Sequence, residues 1–331
     1  MSSTWQHILG EIGRDRRSGA TALLARSLEA GRLFLPATRG LPPARLLRAL
    51  ERFTRRLTTR QPSMAPFLTL ANALWLGVEG RPPGTAPWEA LHDALVRYAE
   101  DLDRELVGIS RSAARLVRSG STVLTYSHST SVRLALWRAV AEGRRFAVAC
   151  SESRPANEGV ALARALADRG VPVHLMVDAA LFGWLERASL VLVGADAVTA
   201  AGFANKIGTR PLLEAARRAG VPAYVLADST KWLPAPVARF WRVRPESPGE
   251  IATLRRPDLT VDNRYFDTSP LSLAAGLVTA DGVSRPASVR DRLRRAHVST
   301  GLLRVLSASA PGGKIQPRTC LPSLEKSRKG S

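Results

Sequence analysis

The sequence predicts an α/β protein in which an all-helical N-terminal domain precedes a doubly wound parallel sheet. Helix-length patterns broken by loops rich in Pro and Gly fill residues 1–118. From Ser121 onward, five short apolar runs alternate with segments rich in Ala, Arg and Leu. Strands that alternate with helix-length segments are typical of parallel sheets with right-handed crossovers. We therefore expect domains at 1–118 and 119–298, followed by a disordered basic tail at 299–331.

The helical domain is indicated by its loops and by its apolar spacing. Pro and Gly cluster at 36–44 and 80–87, which predicts loops there. Between residues 88 and 117, apolar side chains recur at intervals of three or four, which is the period of one helix face. The apolar residues of this stripe are Leu91, Leu95, Tyr98, Leu102, Leu106 and Ile109.

Each of the five apolar runs has the length of a buried strand. They cover residues 121–126, 145–152, 171–178, 189–196 and 221–228. A further strand at 277–279 and a short basic helix after Pro286 are predicted to complete the sheet edge or to form a subunit contact. Beyond Ser299 the chain is rich in Ser, Pro, Gly and Lys and lacks periodicity, which predicts disorder.

Composition argues against several classes of protein. No apolar run approaches the roughly 20 residues of a membrane span, and the N-terminus lacks a signal-peptide layout, so we expect a cytoplasmic protein without a membrane partner. The net charge of +20 is spread along the chain, which argues against a nucleic-acid partner. Cys150 and Cys320 lie far apart and the His residues lack zinc-ligand spacing, so we expect no disulfide framework, no metal and no other cofactor.

Polar residues follow the predicted strands at the edge where open α/β sheets bind ligands. Asp196 ends the fourth apolar run, and an Asn-Lys-x-Gly-Thr turn that contains Lys206 follows about ten residues later. Gly208 and Thr209 then open a predicted helix, whose N-terminal amides favour an anion. Together these residues predict a phosphorylated ligand beside a carboxylate.

Two other interpretations of the strand ends must be weighed. A single polar residue at such an end is more often a helix cap than a ligand contact. The ends also carry Arg154, Lys206 and Lys231, however, and capping does not require cations. Ser127 and His128 are neighbours, but successive strand residues point to opposite faces, which argues against a hydrolase triad.

Seven short motifs, in one order, carry a resemblance to a known family. They are TYSHS (125–129), ESRP (152–155), VDAA (177–180), VGAD (193–196), ANKIGT (204–209), ADSTK (227–231) and FDTSP (266–270). The chain resembles the family of the alpha, beta and delta subunits of eukaryotic translation initiation factor 2B, which includes ribose 1,5-bisphosphate isomerase and methylthioribose-1-phosphate isomerase. The resemblance runs from about Arg14 to about Val298. It implies a Rossmann-like sheet domain, a homodimer or higher homo-oligomer, and a sugar phosphate or bisphosphate as ligand.

The resemblance also implies roles for individual residues. In the family's isomerases a cysteine and an aspartate flank the sugar carbons and interconvert an aldose and a ketose phosphate. Asp196 matches this aspartate, whereas Ser127 stands where the isomerases carry the cysteine. A thiol can be tuned to exchange a proton at neutral pH, but a serine hydroxyl needs a dedicated base. The positions that match phosphate or sugar contacts are Arg17, Gly19, Ala20, Arg60, Arg154, Asn205, Lys206 and Lys231.

The resemblance therefore favours a sugar-phosphate-binding protein with weak, altered or lost aldose-ketose isomerase activity. Lys231 matches a lysine of the bisphosphate isomerase, which favours a bisphosphate. Two alternatives remain open: a competent sugar-phosphate isomerase, and a regulatory or assembly subunit like those of initiation factor 2B. In the second alternative the ligand would set the oligomeric state instead of reacting.

Overall fold

Helices fill the first part of the protein, as the sequence predicts. The computed structural model describes residues 4–15, 18–254 and 256–309. In the described part up to residue 114, the helices are α1 (Trp5–Arg14), α2 (Ala20–Thr38), α3 (Pro43–Arg60), α4 (Ala65–Glu79) and α5 (Pro87–Ala114).

A shared apolar core holds these helices together. Leu24, Phe53 and Phe67 are fully buried in it. Two of the helices, α3 and α5, begin at Pro43 and Pro87, where the fixed φ of proline suits the first helical turn and no N–H is missed. Within the described residues, no helix is both long enough and apolar enough to cross a membrane.

Strands and further helices follow α5. The strands are β1 (Thr122–Thr125), β2 (Ala147–Ser151), β3 (Val173–Met176), β4 (Leu190–Gly194), β5 (Ala197–Val198), β6 (Phe203–Lys206), β7 (Ala223–Leu226), β8 (Phe266–Ser269), β9 (Gly276–Thr279) and β10 (Gly282–Ser284). The helices are α6 (Thr130–Ala141), α7 (Glu158–Ala167), α8 (Thr209–Arg218), α9 (Ala235–Ala238), α10 (Pro286–Arg295) and α11 (Thr300–Ser309). A 3-10 helix, Asp178–Arg187, connects β3 to β4.

The larger sheet has the order β10-β9-β7-β4-β1-β2-β3, and every neighbouring pair except β9 and β10 is parallel. The five apolar runs form β1, β2, β3, β4 and β7, which confirms the predicted sheet. From β1 the chain moves outward to β2 and β3, then returns to β4 on the other side of β1. The strand order thus reverses between β1 and β4, which is where such sheets form a ligand crevice.

A small antiparallel sheet of β5, β6 and β8 lies beyond the end of β4. In its register Asn205 pairs with Asp267. The sequence predicts a turn from Asn205 through Thr209, but the structure shows a strand up to Lys206 and a turn only at 207–208. Strand β6 forms because Phe203 is buried and the backbone pairs with β8, more than fifty residues further along the chain.

The last described helix differs from the expected disorder after Ser299. Helix α11 packs against α3 and α4, with Leu302 and Val305 buried. A Cβ on Gly301 would overlap the ring of Trp75, so glycine lets the two helices approach closely. Helix α11 is ordered because its few apolar residues complete a core that the first helices leave open. The rest of the predicted tail, 310–331, lies outside the described residues.

Candidate functional site

A cavity of about 300 Å³ lies at the reversal point of the sheet. Its walls come from the ends of β1 and β4, from β6, and from the beginnings of α2 and α6. Helix α6 can begin this close to β4 because Gly194 has no Cβ, which would lie 2.5 Å from Ser129 Oγ. The structure brings together seven of the predicted site residues here: Gly19, Ala20, Ser127, Asp196, Asn205, Lys206 and Lys231.

The other three predicted positions are not among the described residues of the cavity wall. Arg60 ends α3 with an exposed side chain, which runs along Gly13. The next residue, Gln61, lines the cavity instead and donates to the carbonyl of Ile12 at 2.9 Å. Arg154 is exposed, and Arg17 lies outside the described residues.

Asp196 is a carboxyl group of the cavity wall that is suited to exchanging protons with a ligand. Its pKa is raised from 3.8 to about 6, chiefly by burial; the positive charge of Lys231 opposes this rise, the negative charge of Glu158 adds to it, and Lys206 opposes it. Its own backbone N–H donates to the carbonyl of Ala204 at 2.8 Å, which fixes the loop after β4. A carboxyl group with this pKa can both donate and accept a proton near neutral pH.

Ser127 occupies a left-handed backbone conformation at the end of β1, with φ of 66°. Its N–H donates to Ser153 Oγ at 2.9 Å. The N–H groups of Ser153 and Arg154 in turn donate to the two carboxylate oxygens of Asp178, at 2.8 and 2.9 Å. These bonds tie the ends of β1, β2 and β3 together and hold Ser127 at the cavity. Among the described residues, none accepts a hydrogen bond from the Ser127 hydroxyl.

Both predicted lysines are buried in ion pairs. Lys206 Nζ lies 2.9 Å from Glu158 Oε1 and 4.7 Å from the centre of the Tyr265 ring. Lys231 Nζ lies 3.2 Å from Asp228 Oδ2. The sequence predicts cations that neutralise a ligand, but carboxylates of the chain already neutralise much of their charge.

The start of α8, where the sequence predicts an anion, holds a carboxylate of the chain itself. Asp267 Oδ2 accepts the N–H groups of Gly208 and Arg210, at 2.8 and 3.1 Å. Burial raises the pKa of Asp267 to about 6, while these two hydrogen bonds lower it. The anion at this helix start is therefore a carboxylate of the chain itself. Asn205 is held nearby by its side-chain amide, which donates to Thr209 Oγ1 at 2.9 Å.

Several residues that line the cavity were not singled out from the sequence. Glu158 begins α7, where an acidic residue usually reflects only the helix dipole. Arg133 lies in the first turn of α6, one turn after the cap Ser129. Arg244 comes from an irregular segment that closes one side of the cavity and shows no sequence pattern. The described residues contain no group of three or more His, Cys, Asp or Glu that could hold a metal ion.

The fold and the cavity define a Rossmann-like α/β protein, with a helical N-terminal region and a polar cavity at the reversal point of a mostly parallel sheet. Comparison with known proteins identifies its family. The chain belongs to the initiation factor 2 subunit family, which matches residues 16–286. This match confirms the resemblance seen in the sequence motifs.

Relatives of this chain carry two kinds of name. A Pyrococcus furiosus protein named for its likeness to subunit 2 of translation initiation factor eIF-2B is 29% identical, over 84% of this chain and 95% of its own length. A ribose 1,5-bisphosphate isomerase of Haloterrigena turkmenica is 32% identical, over 69% of this chain and 74% of its own. The fold is similar to the crystal structure of the Pyrococcus horikoshii OT3 translation initiation factor eIF-2B, with a TM-score of 0.73 and 26% identity over 87% of this chain and 99% of that one.

Proposed function

We propose that this chain binds a sugar phosphate in the cavity between β1 and β4, and that its aldose-ketose isomerase activity is weak, altered or lost. The observation that carries this proposal is the convergence of Ser127, Asp196, Asn205 and Lys206 on one cavity. They offer a carboxyl group for proton exchange, an amide for sugar hydroxyls and an ammonium group for negative charge. The name of the Haloterrigena turkmenica relative supports the class of ligand.

The weak activity follows from what an aldose-ketose isomerisation requires. In ribose 1,5-bisphosphate the bond between C1 and the ring oxygen breaks, a proton moves from C2 to C1, the C2 hydroxyl loses a proton and the ring oxygen gains one. Two groups that exchange protons serve these transfers. Asp196, with its pKa raised to about 6, supplies one of them. Ser127 has no hydrogen-bonded base among the described residues, and loss of one acid/base partner typically costs about 10²- to 10⁴-fold in rate.

Phosphorus NMR of ribose 1,5-bisphosphate with stoichiometric protein, followed over hours, tests the proposal. We expect the substrate resonances to broaden on binding and to convert slowly or not at all. Rapid appearance of ribulose 1,5-bisphosphate would support the competent isomerase instead. Unchanged spectra would overturn the proposal for this ligand. Asp196→Asn is the matched control, because it keeps the size of the side chain and removes its titratable group.

A regulatory or assembly role is the second candidate. It is favoured by the similarity to the eIF-2B subunit 2-like relative, which extends over 95% of that protein. In this role the bound sugar phosphate would shift the oligomeric state of a cytoplasmic protein. Light scattering of the purified protein should show a homodimer or a larger homo-oligomer. A mass that changes when ribose 1,5-bisphosphate is added would favour the regulatory role over slow catalysis.

A further inference from the structure

The basic side chains of the cavity differ in whether a carboxylate already neutralises them. Four of the described lining residues are Arg or Lys, and three of these four form ion pairs within the chain. The pairs are Lys206 with Glu158 at 2.9 Å, Lys231 with Asp228 at 3.2 Å, and Arg244 with Glu246 at 3.0 Å. Arg133 is the exception within the described part of the chain, because it has no ion-pair partner there.

The surroundings of Arg133 disfavour a positive charge that has no anionic partner. Its Nε is buried and makes no hydrogen bond to any described residue. Its guanidinium carbon lies 4.2 Å from the centre of the Trp137 ring, and that of Arg169 lies 3.9 Å from the same centre. Two like charges thus share one aromatic ring. Burial, and then the charge of Arg169, lower the pKa of Arg133. An anion beside Arg133 would offset both effects.

One alternative place for an anion, the start of α8, is already filled. Asp267 accepts the N–H groups at the start of α8, so a ligand phosphate would have to displace a buried carboxylate there. Arg133 lies on α6 and lines the same cavity. Ser129 and Thr130, which carry hydroxyl groups, also belong to this part of the cavity wall. A guanidinium group offers two parallel N–H groups that match two phosphate oxygens.

We propose that Arg133 binds a phosphate group of the ligand, so that this phosphate lies at α6 and not at α8. The inference rests on the proposed function, because it assigns one end of the sugar phosphate that the cavity would hold. The contact with Trp137 limits the positions that the guanidinium group can take, since its carbon lies 4.2 Å from the ring centre. Arg133 is thereby a binding residue and takes no part in proton transfer.

Calorimetric titration of wild-type protein, Arg133→Gln and Arg133→Lys tests the proposal. Three probes are used: ribose 1,5-bisphosphate, ribose 1-phosphate and ribose 5-phosphate. We expect Arg133→Gln to weaken bisphosphate binding about 10- to 100-fold, because a charge-assisted bond is lost. Arg133→Lys should lose less bisphosphate affinity, because lysine keeps the positive charge but lacks the two parallel N–H groups of the guanidinium. Each monophosphate probe carries one of the two phosphates. The probe without the phosphate that Arg133 binds should have the same affinity for Arg133→Gln as for wild type.

Arg169→Gln is the matched control, because Arg169 shares the Trp137 ring but does not line the cavity. It should bind all three probes as wild type does. Wild-type bisphosphate affinity in Arg133→Gln would overturn the inference while leaving the proposed function intact. An equal loss in Arg169→Gln would also overturn it, since the effect would then come from the aromatic stack. Failure of wild-type protein to bind any of the probes would remove the proposed function, and this inference with it.

Discussion

Glu158 holds Lys206 in an ion pair inside the cavity, with 2.9 Å between Oε1 and Nζ. Its second carboxylate oxygen is buried and makes no hydrogen bond to any described residue. The negative charge of Glu158 also raises the pKa of Asp196. Glu158 therefore affects both Lys206, which would contact an anionic ligand, and Asp196, which would exchange protons. It opposes an anionic ligand, because it both occupies Lys206 and repels phosphate.

Glu158→Gln should tighten the binding of ribose 1,5-bisphosphate. A like charge several ångströms away costs on the order of 2 kcal/mol at the effective dielectric constant of a protein, so the affinity should rise about thirtyfold. Calorimetric titration measures this change. Glu142→Gln removes a carboxylate that pairs with Arg138 far from the cavity, and it should leave the affinity unchanged. Weaker binding in Glu158→Gln would show that Glu158 assists the ligand.

Ser127→Cys should raise the rate of aldose-ketose conversion by about 10²-fold or more, because it places a titratable thiol in the same cavity as Asp196. The measurement is the appearance of ribulose 1,5-bisphosphate by phosphorus NMR. Ser127→Ala is the control, since it changes the same side chain without adding a thiol, and it should react no faster than wild type. A Ser127→Cys variant that binds the sugar phosphate but gains no activity would contradict the proposal that the serine at this position limits the isomerase activity.

Asp196→Asn should stabilise the protein above pH 6. Burial raises the pKa of Asp196 from 3.8 to about 6, so the folded state binds a proton between these values that the unfolded state releases. Wild-type stability from this group therefore falls as the pH rises through that window. At pH 7.5 the variant should gain up to about 3 kcal/mol in the free energy of unfolding. Urea unfolding should show this gain disappear below pH 4. A gain that does not change with pH would show that the raised pKa of Asp196 is not its cause.

Asp267→Ala should lower the free energy of unfolding by about 1–3 kcal/mol, because two helix-start N–H groups lose their acceptor. Phosphate buffer should restore part of this loss relative to chloride at equal ionic strength, since the freed amides of α8 favour an anion. Asp262→Ala is the control, because Asp262 is exposed and pairs with Arg264 at the surface. Equal losses in the two variants would show that the Asp267 bonds contribute little.

The sequence predicts the large sheet well, since buried parallel strands produce continuous apolar runs. It also predicts the reversal-point residues Ser127 and Asp196, because parallel strands end at one edge. It misses the small sheet, because β5 has only two residues and β6 ends in Asn205 and Lys206, which look like a turn.

The electrostatics of the site were the least predictable part. Asp267 meets the start of α8 only because β6 and β8 pair across a long stretch of chain. Glu158 and Lys206 are nearly fifty residues apart in sequence, and no local pattern indicates their ion pair. Residue types at strand ends can predict that charges gather there, but the partner of each charge depends on tertiary packing.

The position of α11 on α3 and α4 has a consequence for how the protein is made. The face around Trp75 is covered by residues that leave the ribosome more than two hundred positions later, Gly301 and Leu302 among them. The first helices can collapse early during translation, but they reach their final packing only when almost the whole sheet has been synthesised. A nascent chain stalled within the sheet would therefore expose an uncovered apolar face at its N-terminal end.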